Sequence, residues 1–400
     1  MKEKIRNSYE HTIYACYIGY ITQAIVNNFV PLLFLTFVRE MDLTLGRITL
    51  LTTFNFLVQL LVDLVCTRIV DRIGYRPCVR AAHVTCAAGL IGLAVFPQLL
   101  GNAMAGLLLA VMLYAIGGGL IEVLISPIVE ACPTKKKEAA MSLLHSFYCW
   151  GHVGVVILTT LFFRLFGIGN WRIMAVIWSI VPIMNFFYFK FVPIYPIVSE
   201  ADEPISLRNL LKMKVFWLLI VLMICAGASE QAMSQWASAF AEAGLHVSKT
   251  VGDLMGPCLF AVFMGTARAL YGKFADALPL KKVMAGSAVL CIICYLTAIL
   301  ARHPVPGLLG CAVCGFSVGI FWPGTFSIAG WTLRGGGTAL YALLALAGDV
   351  GCSSGPTVVG LVAGAFGDQL KVGLAAALIF PVVMLIGITR VKSNEQVSQG

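Results

Sequence analysis

The chain has 400 residues, 59% of them hydrophobic and 12% charged, with a mean hydropathy of +0.90. A soluble domain of that length cannot hide so much apolar surface, which leaves a polytopic membrane protein as the class. The formal net charge of +9 reflects where lysine and arginine fall along such a chain, and nucleic-acid binding is not needed to explain it.

A helix crossing the hydrocarbon core takes about 20 mostly apolar residues. The sequence offers twelve such windows: His11–Val38, Ile48–Ile69, Cys78–Pro97, Ala103–Ala131, Ala139–Phe166, Trp171–Val192, Val215–Glu242, Val251–Phe274, Val283–Leu300, Val305–Leu333, Thr338–Phe366 and Leu370–Thr389. The alternation of a β-barrel is absent, so the expected fold class is an all-α membrane protein with twelve transmembrane helices.

The N-terminus is basic, with Lys2, Lys4 and Arg6, and leads into an apolar stretch that is longer than a secretory signal and lacks a small-residue cleavage site. It is read as a retained first helix. There Gln23 and Asn27 are four apart and share a face with Tyr20. On the second helix Asn55, Gln59 and Asp63 repeat at the same spacing, as Gln231 and Gln235 do on the seventh. Amides carry donors and acceptors together, which suits a ligand rich in hydroxyls. Buried amides also tie membrane helices together, the plainer reading for any one of them. Stripes on three helices together favour a polar cavity.

On the fourth helix Glu122 lies inside the apolar run Leu107–Val129, and an intramembrane carboxylate marks a functional site by default. It reads as a protonatable switch, loaded on one side of the membrane and emptied on the other. The plainer alternative is a structural acid held by hydrogen bonds or paired with Arg268. On the fifth helix His145 and His152 are seven apart, which keeps them on one face, with Trp150 nearby. A histidine titrating near neutral pH could relay a proton to Glu122; a neutral imidazole bonded within the bundle is the commoner state. No third ligand stands at a metal-binding spacing, so neither a metal nor a cofactor is expected.

Glu230 on the seventh helix is read as a hydroxyl acceptor or as half of a structural ion pair, and Asp349 on the eleventh as a further binding acid. Trp236 and Trp322 sit beside these polar positions, and Phe147, Trp150 and Phe321 add aromatic faces on which the apolar face of a ligand ring could stack. Trp171 is read as an interfacial anchor. The thirteen cysteines lie mainly within the spans, with no framework of loop cysteines for structural disulfides, and Cys291/Cys294 is read as a chance CxxC.

Lys2, Lys4, Arg6, Arg72, Arg76, Arg80, Lys135 to Lys137, Arg208, Lys212, Lys214, Lys273, Lys281, Lys282, Arg334, Arg390 and Lys392 fall on one side of this arrangement. Arg39, Arg47, Arg164, Arg172, Lys249, Arg302 and Lys371 fall on the other. By the positive-inside rule the first side is cytoplasmic, which places both termini inside a plasma membrane.

An internal repeat divides the chain. Asp71-Arg72-Ile-Gly74-Tyr-Arg76 between the second and third helices is echoed by Gly272-Lys273-Phe-Ala-Asp276 between the eighth and ninth. Gly119 corresponds to Gly319, and Gly151 to Gly351. The expected organisation is therefore two pseudo-symmetric six-helix halves, residues 1–192 and 215–400, joined by a cytoplasmic linker at 193–214. Asp71, Arg72 and Arg76, with Asp276, Lys273 and Lys281 as a weaker second set, read as conformational latches at the helix ends.

The Asp-Arg-x-Gly-x-Arg loop, its echo and the whole layout resemble the major facilitator superfamily. Three segments, Gly117-Gly-Gly-Leu-Ile-Glu122, Gly227-Ala-Ser-Glu230-x5-Trp236 and Gly319-Ile-Phe-Trp322-Pro323, are similar to the fucose:proton symporter group of sugar porters. The resemblance implies alternating access, a monosaccharide and a proton as partners besides the lipid bilayer, and Glu122 at the family's essential fourth-helix acid. Where such symporters carry an aspartate on the first helix before a proline, this chain has Asn27 before Pro31. Glu122 would then carry proton coupling alone, or the protein would be a uniporter.

The expected function is import of a small polar solute, a monosaccharide first, by proton symport in a monomer, with no enzymatic activity. Gln23, Asn27, Asn55, Gln59, Trp150, Glu230, Gln231, Gln235, Trp236, Trp322 and Asp349 are the expected substrate positions. A drug or metabolite:proton antiporter ranks second, because the Gly- and Pro-containing pattern of such proteins is missing from the fifth helix, where Gly151-His-Val-Gly154 has no proline.

Overall fold

A computed structural model describes residue 6 and residues 8–134, 137–195, 207–274, 279–333 and 337–391. At 66–69, 71, 130, 137–142, 207, 272–274, 331, 337–339 and 341 the description is of the backbone alone. Twelve helices are long and apolar enough to cross a membrane. They are α1 (Tyr9–Met41), α2 (Leu45–Val65), α3 (Tyr75–Leu99), α4 (Ala103–Val129), α5 (Leu143–Phe166), α6 (Ile168–Phe191), α7 (Lys214–Gly244), α8 (Lys249–Tyr271), α9 (Leu280–Leu300), α10 (Pro304–Gly330), α11 (Ala342–Ala365) and α12 (Leu370–Arg390). Each coincides with one expected window to within four residues at either end. No strand occurs among the described residues.

The chain divides into two compact units, Met1–Ser199 and Glu200–Gly400. In the first, α1 packs on α4, α5 and α6, α4 on α2 and α3, and α3 on α6. In the second, α7 packs on α10, α11 and α12, α10 on α8 and α9, and α9 on α12. These are the same pairings six helices further on. The glycines that repeat in sequence sit at corresponding crossings. A Cβ on Gly151 of α5 would come within 3.2 Å of the Ile21 Cα of α1, and one on Gly351 of α11 within 2.1 Å of the Ile224 carbonyl of α7. Gly119 faces Gln59 of α2 at 3.1 Å, and Gly319 faces the Met264 carbonyl of α8 at 3.0 Å. Small residues let the backbones approach, which is how membrane helices gain packing energy without a solvent to drive them together.

Local rules account for the helix ends and breaks. Thr44 and Asn102 cap the starts of α2 and α4 by accepting from the N–H three residues on. Gly74, at φ +92°, turns the chain between the helix that continues α2 and α3, a conformation only glycine adopts freely.

Four spans are interrupted within one residue of the fourth position before a proline. The α1 helix gives way to a 3₁₀ turn at Val30–Leu33 around Pro31, and α8 to a π turn at Leu254–Cys258 around Pro257. The α10 helix stops at Val318 and resumes at Phe321 before Pro323, and α12 breaks between Ala377 and Ile379 before Pro381. A proline has no N–H for the carbonyl one turn earlier, so that carbonyl needs another donor. Where α7 loses its α-helical register, a π turn at Phe240–Gly244 does so without a proline.

Candidate functional site

In the first unit the predicted amides form one continuous hydrogen-bonded chain. Gln23 Nε2 donates to Glu122 Oε2 at 3.1 Å and to Gln59 Oε1 at 3.2 Å. Gln59 Nε2 donates in turn to Asn27 Oδ1 at 2.8 Å and Asn55 Oδ1 at 3.1 Å, and Asn55 Nδ2 closes the set on Asn27 Oδ1 at 3.2 Å. All four amides are buried. Three helices supply them: α1 gives Gln23 and Asn27, α2 gives Asn55 and Gln59, and α4 gives Glu122.

The three consecutive glycines of α4 make this assembly possible, each for a different neighbour. Gly117 lies against α3, where a Cβ would stand 2.4 Å from the Ala82 carbonyl. Gly119 lies against the backbone of Gln59. Gly118 faces the amides themselves, 3.1 Å from Gln23 Oε1 and 3.2 Å from Gln59 Nε2. A side chain at that position would occupy the space the amides use.

The network has a polarity. The amide protons of Gln23 and Gln59 are spent inside it, whereas Gln23 Oε1 is buried with no hydrogen-bond partner among the described residues, and Glu122 is an acceptor while ionised. An orphaned buried acceptor is unfavourable by about 1–3 kcal/mol, so a ligand offering O–H or N–H groups gains by filling it. The charge of Asp63, next on the Asn55–Gln59 stripe, bears on Glu122.

The other residues expected in this half stand apart from the amide chain. His145 is exposed and meets the Tyr20 ring edge-on at 5.4 Å, and Tyr20 in turn pairs with Ser126 at 3.2 Å. His152 is buried, so the two histidines do not share one environment although they share a helix face. Phe147 stacks on Tyr17 at 4.4 Å. Trp150 is 53% exposed, in a row of exposed apolar side chains with Leu143, Ile157 and Leu161.

In the second unit, Gln235 Nε2 donates to Gln231 Oε1 at 3.1 Å, and Gln231 Nε2 to Glu230 Oε1 at 3.3 Å. Arg268 of α8 donates through Nη2 to Glu230 Oε2 at 3.4 Å and through Nε to the Gly319 carbonyl at 3.3 Å. Arg268 is therefore Glu230's partner within this unit. Gly319 lies four residues before Pro323, so its carbonyl has lost its helical donor and the guanidinium supplies one. A single planar fork thereby joins α7 to the break in α10.

The two tryptophans separate. Trp236 is fully enclosed, and its indole N–H donates to the Pro356 carbonyl at 2.9 Å; it clamps α7 to α11 and presents no ring face to a ligand, which corrects the stacking role expected for it. Trp322 is half-buried, lies over Gly348, where a Cβ would be 2.2 Å from its ring, and meets Phe326 edge-on at 6.2 Å. Its neighbour along α11, Asp349, is buried. Phe321 is fully buried.

Among the expected latch residues, Arg72 is exposed and Arg76 Nη1 donates to the carbonyls of Phe189 and Lys190 at 2.8 and 3.3 Å, within the same unit. The side chains of Asp71 and Lys273 and the whole of Asp276 lie outside the described residues.

Sequence reasoning passed over one charged group. Asp253 is wholly buried, pairs with Lys249 Nζ at 3.0 Å and accepts from the Ser238 hydroxyl. The i, i+4 spacing of Lys249 and Asp253 is the signal that the sequence carries for this pair. Among the described residues no group of three or more histidine, cysteine or acidic side chains is arranged to hold a metal ion.

A family model for the Major Facilitator Superfamily matches residues 16–356. No curated protein matches the chain by sequence. Among solved structures, the E. coli fucose:proton symporter is similar over 97% of this chain and 100% of its own, at 14% identity and a TM-score of 0.66. A D-xylose–proton symporter is similar over 96% and 97%, at 14% identity and a TM-score of 0.76. A nucleoside transporter is similar over 95% and 99%, at 13% identity and a TM-score of 0.75. At such identities these likenesses speak for the fold alone.

Proposed function

Because the chain belongs to the Major Facilitator Superfamily, we propose that it imports a small neutral polar solute, a monosaccharide first, by proton symport with alternating access. The observation that carries this reading is the chain of amides ending on Glu122, with a buried acceptor, Gln23 Oε1, that no described donor meets. Hydroxyl groups are the ligand chemistry that an acceptor-rich amide site rewards. Glu122 is the group that takes the proton, since it is the acid bonded directly to the network. In the second unit Arg268 is already neutralised by Glu230, which argues against an anionic substrate there. Gln231, Gln235, Trp322 and Asp349 are the further positions proposed to meet the solute. We place the protein in a plasma membrane as a monomer, with both termini cytoplasmic.

The test is uptake of labelled monosaccharides into proteoliposomes with and without an inward proton gradient, for the native chain and Glu122→Gln. Accumulation that the mutant loses while it still exchanges sugar supports symport through Glu122. Equal, gradient-independent equilibration in both makes the protein a uniporter, the reading favoured by Asn27, an amide where a second acid would serve coupling. Failure to move any sugar overturns the substrate class and leaves proton-driven efflux of an apolar cation as the next reading.

A further inference from the structure

One end of the first unit collects positive charge with no counterion among the described residues. Arg76 and Arg80 stand one turn apart at the start of α3 and face the last turns of α6. Arg76 Nη1 caps the final carbonyls of that helix, and the Arg80 guanidinium carbon lies 4.5 Å from the centre of the Phe186 ring. The charges of both Arg80 and Arg6 bear on Arg76. The exposed Arg72 and Lys190 flank the group.

Nothing described in the protein balances these charges. Among the described residues the ion pairs are Arg172–Glu40, Lys249–Asp253 and Arg268–Glu230, and none involves Arg6, Arg76 or Arg80. The carbonyl end of α6 supplies roughly half an elementary charge, against three guanidinium groups that stay protonated throughout the accessible pH range. Arg80 Nε is also buried with no hydrogen-bond partner among the described residues. Stacking on Phe186 satisfies one face of that guanidinium and leaves its in-plane donors to be met.

We propose that Arg6, Arg76 and Arg80 form a binding site for a phosphate-bearing anion, supplied by the headgroup of an anionic phospholipid. The site lies at the ends of two membrane-crossing helices, the level at which lipid phosphates sit, and arginine forks match phosphate geometry. The ligand supplies the missing countercharge and fixes the end of α3 against the end of α6. The site is independent of what the protein transports.

The experiment uses the full chain purified in a neutral detergent. Its thermal unfolding is followed as phosphatidylglycerol, phosphatidylcholine or inorganic phosphate is added, for the native chain, Arg6→Gln and Arg6→Gln/Arg80→Gln. Phosphatidylglycerol is expected to raise the unfolding temperature more than phosphatidylcholine, with an apparent affinity that falls about fivefold for each arginine removed. Inorganic phosphate producing the same arginine-dependent rise at millimolar concentration would support the site and make soluble phosphate its ligand. A phosphatidylglycerol effect that the variants retain in full, or one no larger than that of phosphatidylcholine, overturns the proposal. If the double variant does not fold, the exposed Arg6→Gln carries the same comparison alone.

Discussion

Arg268 does two jobs with one guanidinium, and the two can be separated experimentally. Arg268→Gln strands a buried carboxylate and a buried carbonyl together. The Glu230 contact is single and long at 3.4 Å, so its loss sits below the usual range for a broken buried pair, at about 2–3 kcal/mol. The Gly319 carbonyl, bonded at 3.3 Å, adds about 1–2 kcal/mol when left without a donor. Pro323→Ala restores an N–H one turn after Gly319, whose backbone and that of Ile320 already lie in the right-handed helical region, so the helix can fill the acceptor itself. In that background Arg268→Gln should destabilise by about 1–2 kcal/mol less than in the native chain. The assay is a double-mutant cycle read by denaturant unfolding of the purified protein in detergent. Additive effects, with no coupling between positions 268 and 323, would show that the arginine does not stand in for the proline's missing donor. Arg268→Lys should fall between, because one ammonium cannot reproduce the fork.

The glycines of α4 should divide by neighbour. Gly117→Ala, whose Cβ meets the Ala82 carbonyl at 2.4 Å, is expected to destabilise by about 1–3 kcal/mol in unfolding measurements. Gly118→Ala, whose Cβ meets movable amide ends at 3.1 and 3.2 Å, should stay close to native stability while transport falls, as uptake assays would show. Trp236→Phe keeps most of the ring and loses the bond to Pro356, so stability should drop by about 1 kcal/mol with the half-saturating solute concentration unchanged; a selective loss of solute affinity would return Trp236 to the binding site. Lys249→Met removes the ion-pair partner of the wholly buried Asp253 and should cost about 3–5 kcal/mol of stability. Asp253→Asn should be milder in the same measurement, since an amide can still accept from Ser238.

The twelve spans, the two-unit organisation and the acid of α4 were all legible in the order of residues. Partition between water and hydrocarbon is a property of a stretch of chain, so a run of about 20 apolar residues declares a span wherever its neighbours lie, and an intramembrane carboxylate such as Glu122 stands out against it. Periodicity also carried the amide stripes of α1 and α2, because four residues make nearly one turn whatever packs beside them. The glycine pairs 119/319 and 151/351 were visible as repeats, though not as the crossings they serve.

Partnership was decided only by the tertiary structure. Arg268 could have met any acid, and the rotation and depth of α7, α8 and α10 give it Glu230 and the carbonyl orphaned by Pro323. Trp150, Trp236 and Trp322 are equally aromatic in the sequence, yet helix rotation leaves the first exposed among apolar side chains, encloses the second against Pro356 and lays the third over Gly348. Composition and spacing decide whether a helix forms and crosses a membrane; which side chain faces which depends on how helices far apart in sequence turn against one another, and no local pattern encodes that rotation.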